Sequence, residues 1–116
     1  MKISNRIITF KGNKLNLTGR ILKEESIAPA FTLVSGDMQE VKLSDFKDKI
    51  KIIFTFPSLD TPVCDLEVKE FNKKSGDIFS DVVIIGISKD LPFAQSRFCI
   101  NNQIKNIKIL LMQNIL

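Results

Sequence analysis

A chain of 116 residues is the size of one domain and can bury roughly two-thirds of its unfolded surface. Hydrophobic residues at 44% against 26% charged exclude a disordered chain, and no apolar run approaches the ~20 residues that a bilayer span demands. The net charge of +4 is scattered rather than gathered into a patch, so neither nucleic acid nor membrane is an expected partner, and the absence of histidine excludes Ser-His-Asp and Cys-His catalysis and any histidine-ligated metal site.

In chain order, Met1 to Arg6 lacks the apolar core of a signal peptide, which makes a cytoplasmic chain the expectation. Ile7–Phe10 and Lys14–Thr18 read as two short strands joined by a tight turn at Gly12-Asn13, an outer hairpin. Glu24 to Ala30 reads as a loop. Phe31–Val34 alternates as a strand, Ser35-Gly36-Asp37 is turn chemistry, and Gln39–Leu43 returns before a short helical turn at Ser44-Asp45-Phe46. Lys49–Phe56 is the first core strand. A turn carrying Pro57 and Pro62 follows it, with Thr61 placed to cap a helix and Pro62 at the first helical position. The helix predicted over Pro62–Lys74 turns Val63, Leu66, Val68 and Phe71 to the sheet, with Gly76 as its stop.

Asp81–Ser88 holds the unbroken apolar run Val82 to Ile87, which suits a parallel strand covered on both faces. Strand, helix and strand in this order make a βαβ unit whose turn lies at the carboxyl end of a strand, where open α/β sheets bind ligands. Asp90 is placed to cap a second helix with Pro92 in its first turn. Phe93, Ala94 and Phe98 offer it an apolar face, Arg97 lies alongside, and Cys99 falls near its end. Ile104 to Leu116 alternates loosely and reads as a last strand.

Cys64 thus falls in the first turn of a helix, where unpartnered amides and the helix dipole stabilise a thiolate. Position alone fits a nucleophile and a small buried core residue equally well. The second cysteine, Cys99, is too far along the chain for a C-x-x-C pair, since Glu67 stands where that partner would be. Two cysteines cannot make a Cys₄ zinc site.

Pro57, Thr61 and Cys64 form P-x-x-x-T-x-x-C, the pattern of the peroxiredoxins. The string Phe56-Pro57-Ser58-Leu59-Asp60-Thr61-Pro62-Val63-Cys64 resembles the bacterial thiol peroxidase branch of that family. So does Asp90-Leu91-Pro92-Phe93-Ala94-Gln95-Ser96-Arg97-Phe98-Cys99, and the resemblance runs from about Phe10 to about Asn106. It implies an α/β thioredoxin-like fold of peroxiredoxin type with an N-terminal β-hairpin, in a single domain over residues 1–116. It implies hydroperoxide reduction with Cys64 as the peroxidatic and Cys99 as the resolving cysteine. Thr61 would orient the peroxide, Pro57 would shield the thiolate, thioredoxin would be the reductant, and no cofactor or metal would be needed. A homodimer stays open.

The resemblance also predicts a departure. The family's C-terminal ββα half, with its catalytic arginine, has no match here, and Arg97 belongs to the second-cysteine string. The expectation is therefore a domain incomplete at its C-terminus, through a frameshift or as a fragment. The Lys49–Phe56 strand would be left an unpaired edge and one sheet face uncovered. Two alternatives stand beside the peroxidase: an inactive truncated paralogue or pseudogene product, and a thioredoxin-like disulfide-exchange adaptor.

Overall fold

The computed structural model describes residues 4–75 and 81–112. Strands β1 (Ser4–Phe10) and β2 (Asn13–Gly19) form the expected antiparallel hairpin. Its turn sits one residue earlier than the sequence suggested. Phe10 pairs with Asn13, so Lys11 and Gly12 are the two turn residues, both left-handed at φ 51° and 80°. Paired positive φ values match the twist of a two-residue hairpin, and glycine carries one of them without a Cβ penalty.

The rest builds one five-stranded sheet. Strands β3 (Thr32–Ser35), β4 (Glu40–Lys42), β5 (Ile50–Thr55), β6 (Val82–Ser88) and β7 (Lys108–Leu111) lie in the order β4-β3-β7-β6-β5. β5, β6 and β7 run parallel, while β3 is antiparallel to both β7 and β4. A 3₁₀ turn at Leu43–Phe46 leads into β5, its start tied by the Asp45 carboxylate accepting the Lys42 backbone N–H at 2.8 Å. The expected helices are α1 (Pro62–Ser75) and α2 (Pro92–Asn101). Gly76, the predicted stop of the first, lies outside the described residues.

Register explains the two cores. Phe54 of β5 pairs with Gly86 of β6, which pairs with Ile109 of β7, so these share a face. That face carries Phe54, Phe56, Leu59, Cys64, Val68, Ile84, Ile104, Ile107 and Ile109 as one apolar cluster, with Phe71, Phe98 and Cys99 against it. Gly86 has to be glycine there, because a Cβ would meet the Phe54 ring at 2.7 Å and the Ile109 Cδ1 at 2.9 Å. The freed space lets Phe54 stack on Phe71 of α1, with ring centroids 4.2 Å apart.

The helix faces differ from the expectation. Val68 is fully buried and Phe71 partly so, as predicted, but Val63 and Leu66 point to solvent, 78% and 61% exposed. Cys64, Val68 and Phe71 are spaced i, i+4, i+7, one stripe of a 3.6-residue helix, and Val63 and Leu66 stand off it. On α2, Phe93 and Ala94 are exposed, and Pro92 and Gln95 take the buried positions.

β5 is the sheet's edge among the described residues, as predicted, and Ile50, Ile52 and Ile53 along it are exposed. The bare second face holds only near that edge. Further in, Leu33, Ile85, Ile87 and Leu110 are buried, with Phe31, Val41, Phe46 and Val83 packed on them. Aromatic residues from the loop before β3 and from the 3₁₀ turn thus cover the middle of the sheet.

Candidate active site

The loops that follow β5 and β6 leave the same end of the sheet because these two strands are parallel and adjacent. Residues 56–61 and 89–91 meet there. The first loop is folded on itself. Thr61 donates both its backbone N–H (3.2 Å) and its hydroxyl (2.8 Å) to the Ser58 carbonyl, and the Asp60 N–H is donated to Ser58 Oγ at 3.1 Å. The Thr61 carbonyl then accepts the Asp65 N–H at 3.0 Å, the first turn of α1. Thr61 is therefore the residue at which the helix begins, as expected, but its hydroxyl is spent backwards on Ser58 and does not cap the first turn. Pro62 opens the helix, where its missing N–H costs nothing.

Cys64 lies in that first turn and is 6% exposed, with Phe54, Phe56, Leu59 and Val68 in the same cluster. Cys99 is half-buried near the end of α2 and packs against the same cluster. Both thiols are free. Burial pushes the Cys99 thiol above its ordinary range. Cys99 also lines a cleft of about 540 Å³ with Gln95, Ser96, Ile100 and Lys105. Pro57 is exposed and borders a smaller apolar cleft with Phe56, Ile87 and Met112. The four residues expected to carry chemistry thus divide into one compact loop-and-helix start, Pro57–Thr61–Cys64, and one neighbour, Cys99, across the shared core.

Asp90 is the residue that sequence reasoning misplaced. It does not cap α2, whose cap position is Leu91 with no side-chain bond. Its carboxylate instead accepts three hydrogen bonds: from Ser58 Oγ at 2.7 Å, from the Leu59 N–H at 2.9 Å and from Ser88 Oγ at 2.8 Å. Ser88 Oγ in turn accepts from Gln95 Nε2 at 3.2 Å. An Asp followed at two residues by Pro has the same local signature whether it caps or bridges. Only the partners 31 and 32 residues away decide.

On the far side of the core, Asn72 of α1 ties the helix to the loop after α2. Its Oδ1 accepts the N–H groups of Lys105 and Asn106 at 3.0 and 2.9 Å, and its Nδ2 donates to the Gln103 carbonyl at 3.3 Å. No group of three or more metal-binding side chains occurs among the described residues.

The chain is similar to known proteins over most of its length. Residues 25–112 match the AhpC/TSA family. The chain is 41% identical over 100 residues to a thiol peroxidase of Staphylococcus epidermidis, covering 86% of this chain and 60% of that protein. It is 42% identical over 103 residues to the Bacillus subtilis thiol peroxidase, covering 89% and 61%. The chain therefore spans about 60% of the length of these curated relatives. A crystal structure of a peroxiredoxin-like protein from Aquifex aeolicus superimposes with a TM-score of 0.84 at 39% identity, covering 94% of this chain and 63% of that one. The match over residues 25–112, together with the likeness in fold at 39% identity, places the chain in the AhpC/TSA family, with the thioredoxin-type fold of the peroxiredoxins.

Proposed function

We propose that the chain carries the thiol half of a peroxide-reducing site, with Cys64 as nucleophile, Cys99 as resolving thiol, a hydroperoxide as substrate and thioredoxin as reductant. The observation that carries this reading is the placement of Cys64 in the first turn of α1, with Cys99 against the same apolar cluster. The likeness to the thiol peroxidases supports it further.

In the first step the Cys64 thiolate attacks the terminal oxygen of ROOH. The O–O bond breaks, Cys64 becomes a sulfenic acid, and RO⁻ leaves to take up a proton as ROH. First-turn amides face the developing charge, and the Thr61 hydroxyl turns from Ser58 to donate to the peroxide. Pro57, in the loop that leads to α1, would limit the approach of water to the sulfur. In the second step the Cys99 thiol attacks the sulfenic sulfur, forming a Cys64–Cys99 disulfide and releasing water. Two thiol–disulfide exchanges with a dithiol reductant restore both thiols. A disulfide requires Cα atoms within about 7 Å, and in this reading the two cysteines, on separate helices, come together by unwinding of one helix end.

A second reading is favoured by one observation. Cys64 is only 6% exposed, among phenylalanine rings and aliphatic side chains. A nucleophile closed in this way oxidises slowly, so the chain would be a poor catalyst that keeps the family's thiols. The experiment that separates the readings is a thioredoxin-coupled peroxide assay beside mass spectrometry after one equivalent of hydrogen peroxide. Turnover with an intramolecular disulfide supports the first. Sulfenic or sulfinic acid on Cys64 with Cys99 free supports neither a redox pair nor thioredoxin recycling.

A further inference from the structure

The two free thiols lie on two wound helices, and in the proposed reading their joining opens one of them. Something therefore has to set how readily it opens. The contact that bears on this is polar and lies outside the residues with a chemical role in the proposed reaction. The Asp90 carboxylate sits between the two loops, holding Ser58 Oγ and the Leu59 N–H on the Cys64 side and Ser88 Oγ on its own side. The network does not stop at the loop. Ser88, 4% exposed, accepts from Gln95 Nε2 at 3.2 Å, and Gln95 is 1% exposed in the middle of α2. Gln95 and Cys99 are four residues apart, so they share a face of that helix. Hydrogen bonds thus run unbroken from the loop that launches Cys64 to the helix face that carries Cys99.

Each hydroxyl proton of this network has an acceptor. Ser88 has one hydroxyl proton, given to Asp90, and its lone pairs accept from Gln95 Nε2 and from the Asp90 N–H at 3.3 Å. Ser58 gives its hydroxyl proton to Asp90 and accepts from Asp60. The carboxylate is the only acceptor common to both loops in this network, so neither serine can substitute for it. By contrast, the Gln95 Oε1 is buried with no partner among the described residues. That is a desolvation cost borne by the packed helix and relieved when the helix opens. The wound form of α2 is thus held shut at one end and penalised along its buried face.

We propose that Asp90 is a positioning residue that latches α2 to the Cys64 loop and so sets how often Cys99 becomes available. The proposal rests on the reading of Cys64 and Cys99 as a redox pair. In the reduced chain the latch keeps α2 wound and Cys99 half-buried. Release of the Asp90–Ser58 and Asp90–Leu59 bonds frees the first turn of α2 and lets Cys99 leave its cleft.

The test needs no peroxide. Alkylation of the reduced 116-residue chain by iodoacetamide is followed at both cysteines by mass spectrometry, with circular dichroism recording the melt. Asp90→Ala is expected to raise the Cys99 rate roughly tenfold, the shift in an opening equilibrium that loss of a hydrogen bond to a charged group produces. The Cys64 rate should change much less, because Phe54 and Val68 still hold its helix. Asp90→Asn keeps an acceptor for Leu59 and Ser88 and a donor for Ser58, and should restore Cys99 to within about threefold of the unmodified chain. If Asp90→Ala fails to melt cooperatively, Ser58→Ala decides: it removes the Ser58–Asp90 bond and the acceptor of the Asp60 N–H, leaves Leu59, Asp90, Ser88 and Gln95 joined, and should raise the Cys99 rate by a smaller factor. An equal rise at both cysteines would mark general loosening and overturn the latch, as would an unchanged Cys99 rate. Failure of the redox-pair reading shows separately, as the absence of a Cys64–Cys99 disulfide in the unmodified chain after peroxide.

Discussion

Burial raises the Cys99 thiol above its ordinary range, so at neutral pH Cys99 is held as a protonated thiol. Its alkylation should rise with pH along a curve whose midpoint lies above that of an unfolded control peptide, and a midpoint at or below the control would contradict the burial. The sign for stability follows. A folded state that holds this proton more tightly gains stability that is fully present below the unfolded thiol's titration and is lost as pH rises through the raised value. Asp37 runs the other way. Its hydrogen bond from the Ser35 hydroxyl holds the carboxyl below its usual range, so the β3–β4 turn gains stability above the ordinary carboxylate titration and loses it as pH falls through the lowered value. At this scale the gathering of Pro57, Thr61 and Cys64 at one loop and helix start was legible, because it depends on short spacing within one turn. Asp90 was legible only as an acidic residue before a helix. Its actual work is done through Ser58 and Leu59, which no local spacing brings near it.

The elements themselves were largely readable, since alternation, proline placement and the apolar run of β6 each specify a local geometry. Their orientation was not. Helix α1 presents two apolar stripes, Val63–Leu66 and Cys64–Val68–Phe71, and both satisfy a 3.6-residue period. The choice is made by Gly86, a residue on another element, because the gap it leaves admits the Phe54 ring against Phe71. Gly86→Ala places a methyl within 2.7 Å of that ring and should destabilise the chain by about 1–3 kcal/mol, read from urea unfolding. An unchanged midpoint would mean that Phe54 does not orient α1. Asn72 performs the matching task at the other end of the helix. Asn72→Ala leaves the Lys105 and Asn106 amides without their shared acceptor. Both amides lie at an exposed site where water can replace the carbonyl, so the expected loss is about 1 kcal/mol. Faster hydrogen exchange confined to the α2–β7 loop is the accompanying signature.

The whole molecule is less closed than its parts. Its radius of gyration is 15.2 Å, against about 13 Å for a compact chain of this length. The hairpin accounts for part of that, since Ile7 and Phe10 are 67% and 57% exposed on it. The β5 edge accounts for the more consequential part. Among the described residues β5 has a partner only in β6, and it offers its free backbone groups beside exposed Ile50, Ile52 and Ile53. An apolar edge of this kind is a template for another strand, and charge on the edge is the usual means of blocking it. Lys51 is the only charged residue within β5. The 116-residue chain should therefore self-associate as its concentration rises to roughly 100 µM, in the range where exposed edges aggregate. Ile53→Lys adds a second charge on the side that Lys51 already occupies, two residues along the strand, without touching Phe54 and its stack. It should return the chain to monomer in sedimentation velocity while leaving the melt within about 0.5 kcal/mol, as expected for a surface change. The comparison variant is Ile7→Lys on the hairpin. If that substitution restores the monomer and Ile53→Lys does not, the hairpin rather than the β5 edge is the adhesive surface. A parent chain that stays monomeric throughout the range would remove the edge argument altogether.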